Sequence, residues 1–179
     1  MRVDRSQSAQ DPDDRPDLSF RTVGKGFHVK GGPAGTFWNT GNNAAGTYTL
    51  KATFNLNQPS SHTNYYGLVF GGDQLDGTNQ TYSYFVVAQD GSYLIRQRTG
   101  DNVKDVARAP HQAVKRPDGA GRSSNTLEVR VTGDMVSYIV NGTLVHSVSR
   151  NAVLTDGIVG FRVNDQLDVA VEGFELQRS

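Results

Sequence analysis

Apolar and polar residues alternate along the segment 47–56, and this period of two constrains the fold of the chain more than any other feature. Five apolar residues fall on one face of an extended backbone: Tyr48, Leu50, Ala52, Phe54 and Leu56. The residues between them are polar, which is typical of a strand with one buried face. About ten short segments of this kind, separated by turn residues and without a long helical pattern, predict an all-β fold, an antiparallel β-sandwich or barrel.

Short glycine-containing turns predict how several of these strands pair. An Asp-Gly pair at 90–91 separates the two halves of the segment 82–99, and such a pair favours a two-residue type I′ turn. That turn places Tyr84 on one face of the hairpin and Arg96 on the other, beside Phe85. Because both faces carry large apolar groups, we expect this hairpin to lie inside a sheet, with its mixed face lining a groove.

The remaining segments define the organisation of the chain. Turns at 133–134 and 141–142 predict a three-stranded meander. Residues 101–124 hold prolines and glycines among charged residues and are expected to form a long loop. Residues 1–17 are rich in aspartate and poor in apolar groups, so we expect a disordered tail that precedes a single domain at 18–179.

The bulk composition excludes several classes of function. Lys plus Arg and Asp plus Glu both total 18, so the formal charge is zero and nucleic acid is not an expected partner. No apolar run is long enough for membrane insertion, and the polar segment after Met1 lacks the apolar run of a signal peptide. The chain contains no cysteine, which excludes disulfides and thiolate metal sites.

No catalytic group can be assigned from the sequence. Cleavage of a glycoside usually needs two carboxylates about 5 to 10 Å apart. Glu128, Glu172 and Glu175 have no acidic neighbour at the spacing that would place it on the same strand face. The four histidines are scattered along the chain, so they indicate neither a metal cluster nor a catalytic triad. The catalytic residues, if there are any, stay unknown.

One segment offers oxygen ligands for a metal ion. Asp73, Asp76 and Asn79 follow a glycine pair and suit a hard cation such as calcium. The spacing differs from that of an EF-hand loop, and a flexible turn between two strands explains the same residues. Apart from this calcium alternative, no cofactor is expected.

Aromatic and guanidinium side chains form the candidate ligand site. Sugar rings stack on aromatic rings, and their hydroxyls and carboxylates accept hydrogen bonds from arginine. The candidate residues are Trp38, Tyr84, Phe85, Arg96, Arg98, Arg162 and Asn164. Trp38, the only tryptophan, lies in a glycine-rich region expected to be a loop. The alternative is that the aromatic residues belong to the core and the arginines to an exposed face.

Three segments carry a resemblance to a known family: YGLVFGG at 66–72, YSYFVV at 82–87, and GFRVN at 160–164 before LDV at 167–169. They resemble bacterial concanavalin A-like lectin/glucanase domains, and among these the exported group called 3-keto-disaccharide hydrolase-like, over about residues 35–177. The resemblance implies a jelly roll with a concave sheet that holds carbohydrate. It also implies export to the periplasm or the exterior, with the signal peptide absent from this sequence.

The same resemblance does not supply a catalytic residue. The Glu-x-Asp-x-x-Glu strand of the related glucanases is absent. Where the keto-disaccharide group tends to place an acid, this chain has Tyr82, Ser83 and Tyr84. The sequence therefore favours a carbohydrate-binding jelly roll whose partner is a saccharide. The alternatives are a glycoside-cleaving enzyme and a sandwich that binds another protein.

Overall fold

The computed structural model describes residues 1–179, and strands make up most of it. The fourteen strands are β1 (Arg2–Val3), β2 (Ser19–Val23), β3 (Gly26–Lys30), β4 (Gly35–Ala44), β5 (Tyr48–Gln58), β6 (Tyr65–Asp73), β7 (Thr81–Ala88), β8 (Ser92–Thr99), β9 (Asn102–Pro110), β10 (Ser123–Val131), β11 (Met135–Val140), β12 (Thr143–Ser149), β13 (Gly157–Val163) and β14 (Asp168–Arg178). The helices are two 3₁₀ turns, Pro12–Asp14 and Arg150–Ala152. Neither is long and apolar enough to cross a membrane.

The strands form two antiparallel sheets of seven strands each. The first sheet has the order β1-β4-β13-β6-β7-β8-β9, and the second has the order β12-β11-β10-β5-β14-β3-β2. Each sheet joins strands that are distant in sequence, such as β4 with β13 and β5 with β14. The predicted antiparallel β-sandwich of the jelly-roll kind is confirmed.

The core lies between the inner faces of the two sheets, and the alternating pattern of β5 explains why. The five apolar residues of that pattern, Tyr48, Leu50, Ala52, Phe54 and Leu56, are all 0–1% exposed. Val129 and Val131 of β10 are fully buried beside them. Burial of each large apolar side chain contributes roughly 1.5–3 kcal/mol, so this layer supplies the main driving force for folding.

A second, smaller apolar cluster lies on the outer face of the first sheet. Its buried members are Val69, Leu75, Tyr82, Tyr84, Val86 and Leu94. The middle strands of this sheet are therefore buried on both faces, as the composition of the 82–99 hairpin predicts. Other side chains must therefore cover the apolar residues of this outer face. The same face carries the candidate site.

The predicted register of the β7–β8 hairpin is wrong by one residue. The loop contains three residues, 89–91, instead of two, because Gly91 adopts a φ of 86° and its N–H donates to the carbonyl of Ala88 at 3.1 Å. The pairing is consequently Tyr84 with Arg96 and Tyr82 with Arg98. The correction moves both arginines to the face of the two tyrosines.

The two predicted turns of the meander are confirmed. The backbone N–H of Thr132 donates to the carbonyl of Met135 around residues 133–134. Asn141 and Gly142 both have positive φ, of 50° and 81°, as a type I′ turn requires.

The predicted long loop at 101–124 is wrong over its first half. Strand β9 pairs along the whole length of β8 and forms the edge of the first sheet. Its residues are largely exposed, so they show little of the apolar alternation by which a strand is recognised. The segment 111–122 has no strand, and the side chain of Asn125 holds it by bonds to the backbone of Lys115.

The structure also places residues 1–17 against the sandwich, whereas the sequence predicts disorder there. β1 adds to the edge of β4, with Arg2 opposite Thr36. The Arg2 guanidinium is 6% exposed and donates to the carbonyls of Leu75 and Ser6. Main-chain pairing and polar contacts hold this segment, and apolar composition does not reveal them. The domain boundary at Leu18 stays a prediction.

Candidate functional site

The outer face of the first sheet gathers tyrosine and arginine side chains from five neighbouring strands, β13, β6, β7, β8 and β9. We call it the arginine–tyrosine face and define it by Tyr65, Tyr82, Tyr84, Arg96, Arg98, Arg108 and Arg162. The alternation of β7 produces it, since Tyr82 and Tyr84 point outward while Ser83 and Phe85 point into the core. On β8 the outward positions are Leu94, Arg96 and Arg98.

The floor of this face is aliphatic. Val69, Val86 and Leu94 are 0–2% exposed although they point away from the other sheet. The rings of Tyr82 and Tyr84 lie 5.6 Å apart, centroid to centroid, within the same cluster. Tyr82 and Tyr84 are themselves only 2% and 4% exposed, so the accessible surface of this face consists of guanidinium donors and of the partly exposed rings of Tyr65 and Trp38.

Arg162 is the most enclosed charge on the face. It is 5% exposed, and its guanidinium lies 5.5 Å from the centroid of the Tyr84 ring. Nη1 donates to Asp4 Oδ1 at 2.9 Å, and Nη2 donates to the other oxygen of the same carboxylate. Burial alone would lower the pKa of Arg162, but the hydrogen bond and charge of Asp4 raise it above its ordinary value. The guanidinium therefore stays charged.

Asp4 is correspondingly held in its ionised form. Burial opposes ionisation, but the hydrogen bond and charge of Arg162, with the charges of Arg98 and Arg5, lower the pKa of Asp4. The N-terminal segment thus delivers one carboxylate to the arginine–tyrosine face.

Arg96 belongs to a second ion pair on the same face. Its Nε donates to Asp105 Oδ1 at 2.5 Å, across the β8–β9 pairing. Burial lowers the pKa of Arg96, whereas hydrogen bonds to Asp105 and Tyr84 raise it, with a net increase. Burial raises the pKa of Tyr84 despite the nearby charge of Arg162, so the phenol stays protonated and can donate.

Arg98 and Arg108 form no ion pair. Arg98 makes a single long hydrogen bond, from Nη1 to the carbonyl of Gly100 at 3.4 Å, and its buried Nε has no partner. Arg108 donates to the Tyr65 hydroxyl, and its guanidinium carbon lies 5.7 Å from the centroid of the Tyr65 ring. Neither guanidinium group is engaged by a carboxylate of the fold.

The structure brings five of the seven predicted ligand residues together. Tyr84, Arg96, Arg98 and Arg162 are members of the face, and Trp38 packs at its edge against the apolar floor. Trp38 lies in strand β4 and not in a loop, so that part of the prediction is wrong. It also lines a cavity of about 360 Å³ whose twelve lining residues include five phenylalanines.

The other two predicted residues differ from expectation. Phe85 is fully buried between the sheets, because the alternation along β7 turns it inward, and the corrected register moves the arginines to the opposite face. Phe85 therefore cannot contact a ligand on the outer face. Asn164 follows β13, where its N–H donates to the carbonyl of Tyr65 and its buried Oδ1 has no partner. It lies beside the face, next to Tyr65.

Four contributors were not among the predicted ligand residues. Tyr65 and Tyr82 are aromatic residues of predicted strands. Before the register is known, a position in the core explains them equally well. Arg108 lies in the segment expected to be a loop. Asp4 carries no signal at all, since its role depends on a contact 158 residues away in sequence.

The candidate calcium ligands are all on the surface. Asp73 ends β6, and Asp76 and Asn79 lie in the exposed loop that follows it. The structure contains no group of three or more His, Asp or Glu side chains that could hold a metal ion. The calcium site stays a prediction.

Comparison with known proteins supports the fold alone. No protein-family model and no curated protein sequence matches the chain. Among solved structures, it is similar to carbohydrate-binding module CBM66 from Bacillus subtilis, with a TM-score of 0.68 and 11% identity over 89% of this chain and 91% of that one.

Two further structures have the same fold. A Bacillus subtilis protein of unknown function with a galectin-like fold gives a TM-score of 0.60 at 13% identity, covering 90% of this chain and 87% of that one. Sheep galectin-11, in complex with glycerol, gives 0.55 at 13% identity, covering 82% and 97%. These likenesses show that the chain has a jelly-roll fold.

Proposed function

We propose that this protein binds carbohydrate on the arginine–tyrosine face. The observation that carries the proposal is the pairing of Tyr84 with Arg96 and of Tyr82 with Arg98 on one outer sheet face. The arginines of these pairs offer forked donors for sugar hydroxyls. Tyr82 and Tyr84 are buried, so the rings on which a sugar can stack are those of Tyr65 and Trp38, which are partly exposed beside the arginines. The similarity to a module named as carbohydrate-binding and to a galectin supports the same reading.

Binding is favoured over cleavage by the state of the carboxylates that contact this face. Asp4 and Asp105 both form ion pairs with arginines. Burial opposes the ionisation of Asp4, but Arg162 lowers its pKa below the ordinary value. A glycosidase needs one carboxyl group that stays protonated near neutral pH. Asp4, whose pKa is lowered, does not have that character.

The rival proposal is the enzymatic one, which rests on the sequence resemblance to 3-keto-disaccharide hydrolase-like domains. Turnover of 3-keto-glycosides that is lost on changing Asp105 to Asn would favour this rival. Inactivity across a panel of such glycosides would remove it. We further propose, from the same resemblance, that the protein is exported, which fractionation of the native host would check.

The binding proposal is tested with a panel of neutral and acidic oligosaccharides. Titration calorimetry measures affinity, and the fluorescence of Trp38 reports contact at the edge of the face. We expect Arg96→Ala combined with Arg98→Ala to weaken binding by about tenfold or more, because hydrogen bonds to charged groups contribute roughly 1.5–3 kcal/mol each.

The matched control is Arg130→Ala, since Arg130 lies on β10 of the second sheet and is half exposed. Thermal unfolding of each variant shows whether it is folded. The proposal fails if no saccharide binds the wild type, or if the double variant binds as tightly as the control.

A further inference from the structure

We infer that the saccharide recognised on the arginine–tyrosine face carries carboxylate groups, as an oligouronate does. This inference rests on the proposed function and narrows it to a class of ligand. It starts from a mismatch of charge, because a chain of zero net charge concentrates guanidinium groups on one sheet face.

Positive charges outnumber negative charges on that face. Four arginines meet two carboxylates, in the ion pairs Arg162–Asp4 and Arg96–Asp105. Arg98 and Arg108 therefore contribute two positive charges without a counterion. A neutral saccharide needs donors but no net charge, whereas an anionic one gains from a field of this sign.

Arg98 has a hydrogen-bond donor without a partner. Buried polar atoms in folded proteins almost always have a hydrogen-bond partner, and each exception costs free energy. Arg98 Nε is buried without one, and the remaining hydrogen bond of that side chain is long, at 3.4 Å. The charge of Arg98 also contributes to the lowered pKa of Asp4.

The hydrogen bonds of Arg162 indicate which kind of anion suits this face. On this face Arg162 holds the carboxylate of Asp4 through two parallel hydrogen bonds, one to each oxygen. This planar, forked geometry suits a carboxylate. The partly exposed rings of Tyr65 and Trp38 supply a surface on which a pyranose ring can stack. A uronate sugar combines the two features in one residue.

The experiment compares a trimer of galacturonic acid with its methyl ester, which has the same carbon skeleton and no charge. We expect the acid form to bind wild-type protein about tenfold or more tightly than the ester, in line with the cost of losing a charged hydrogen-bond partner. Arg98→Gln combined with Arg108→Gln should abolish that preference, whereas Arg130→Gln should retain it. A sulfated trisaccharide and a neutral trisaccharide complete the panel.

The outcomes separate this inference from the proposed function. If acid and ester bind equally, or only neutral sugars bind, the carboxylate inference is overturned and carbohydrate binding stands. If the sulfated sugar binds and the uronate does not, the ligand is anionic but the assignment to carboxylate is wrong. If none of the saccharides binds, both proposals fail. Preference for the acid that survives in Arg98→Gln/Arg108→Gln would also overturn the inference, because these two side chains carry it.

Discussion

At the scale of single residues, the contact between Asp4 and Arg162 balances the most enclosed charge of the molecule. Removing one partner of such a pair leaves the other desolvated and unneutralised, which costs more than the pair itself contributes. The guanidinium of Arg162 has one further polar contact, to the Thr36 hydroxyl at 3.3 Å. Asp4 therefore links the N-terminal segment to the stability of the whole sheet.

We predict that Asp4→Asn lowers the free energy of unfolding at neutral pH. Burial opposes ionisation of Asp4, but Arg162 lowers its pKa below the ordinary value of 3.8 in the folded state. The wild-type stabilisation is thus present above pH 3.8 and is lost as the pH falls through the folded pKa. The difference in melting temperature between wild type and variant should shrink in that acidic range.

The control for this prediction is Asp134→Asn, a change at the tip of the β10–β11 turn that touches no ion pair. Thermal unfolding followed by circular dichroism over the acidic range gives the comparison. A constant difference between Asp4→Asn and wild type at all pH values would contradict the assigned linkage.

The residues of the site were predictable to the extent that their chemistry is visible in the sequence. Arginine and tyrosine at alternating positions of β7 and β8 indicate a binding face before any coordinates exist. The partners could not be inferred, because Asp4 and Arg162 meet only through the addition of β1 to β4. Phe85 was grouped with the arginines for a different reason, namely the predicted length of one turn, which placed Arg96 opposite Phe85 instead of Tyr84.

At the scale of elements, that turn decides which side chains share the site. Asp-Gly favours a two-residue loop, yet the chain uses three residues, and Ser92 stabilises the longer form by donating to Asp90 Oδ1 from both its N–H and its hydroxyl. Strong patterns such as β5 and the 127–148 meander were predicted correctly. β9 was missed because an exposed edge strand needs little apolar alternation.

Alanine at the two hairpin glycines should distinguish the two turns. Gly91 and Gly142 have φ of 86° and 81°, values that cost an L-residue about 1 kcal/mol or more. A Cβ at Gly142 would meet nothing within 4 Å, whereas one at Gly91 would lie 2.7 Å from Arg116 Nε. We expect both variants to lose stability in urea unfolding and Gly91→Ala to lose more.

A Gly91→Ala variant as stable as wild type would mean that the loop can return to a two-residue form. Its Tyr84–Arg96 pairing would then change as well, and cross-strand nuclear Overhauser contacts would report the new register.

At the scale of the whole molecule, the fold follows from patterns that act along the entire chain. Period-two alternation on several strands, with turns too short for crossovers, leaves a two-layer antiparallel sandwich as the arrangement that buries the apolar faces. The strand order within each sheet could not be derived in this way, because it depends on pairings such as β4 with β13 that lie far apart in sequence. The asymmetric placement of guanidinium groups on the arginine–tyrosine face appears only once that order is known.

This asymmetry predicts a strong salt dependence for a protein of zero net charge. Two uncompensated guanidinium groups on one face attract an anionic ligand over a distance that falls from about 10 Å at 0.1 M salt to about 3 Å at 1 M. Affinity for a uronate trimer should therefore decrease steadily with added sodium chloride in titration calorimetry. The methyl ester of the same trimer should show little change, because its stacking and hydrogen bonding do not depend on a long-range field. Equal salt dependence of the two ligands would place the attraction elsewhere than on Arg98 and Arg108.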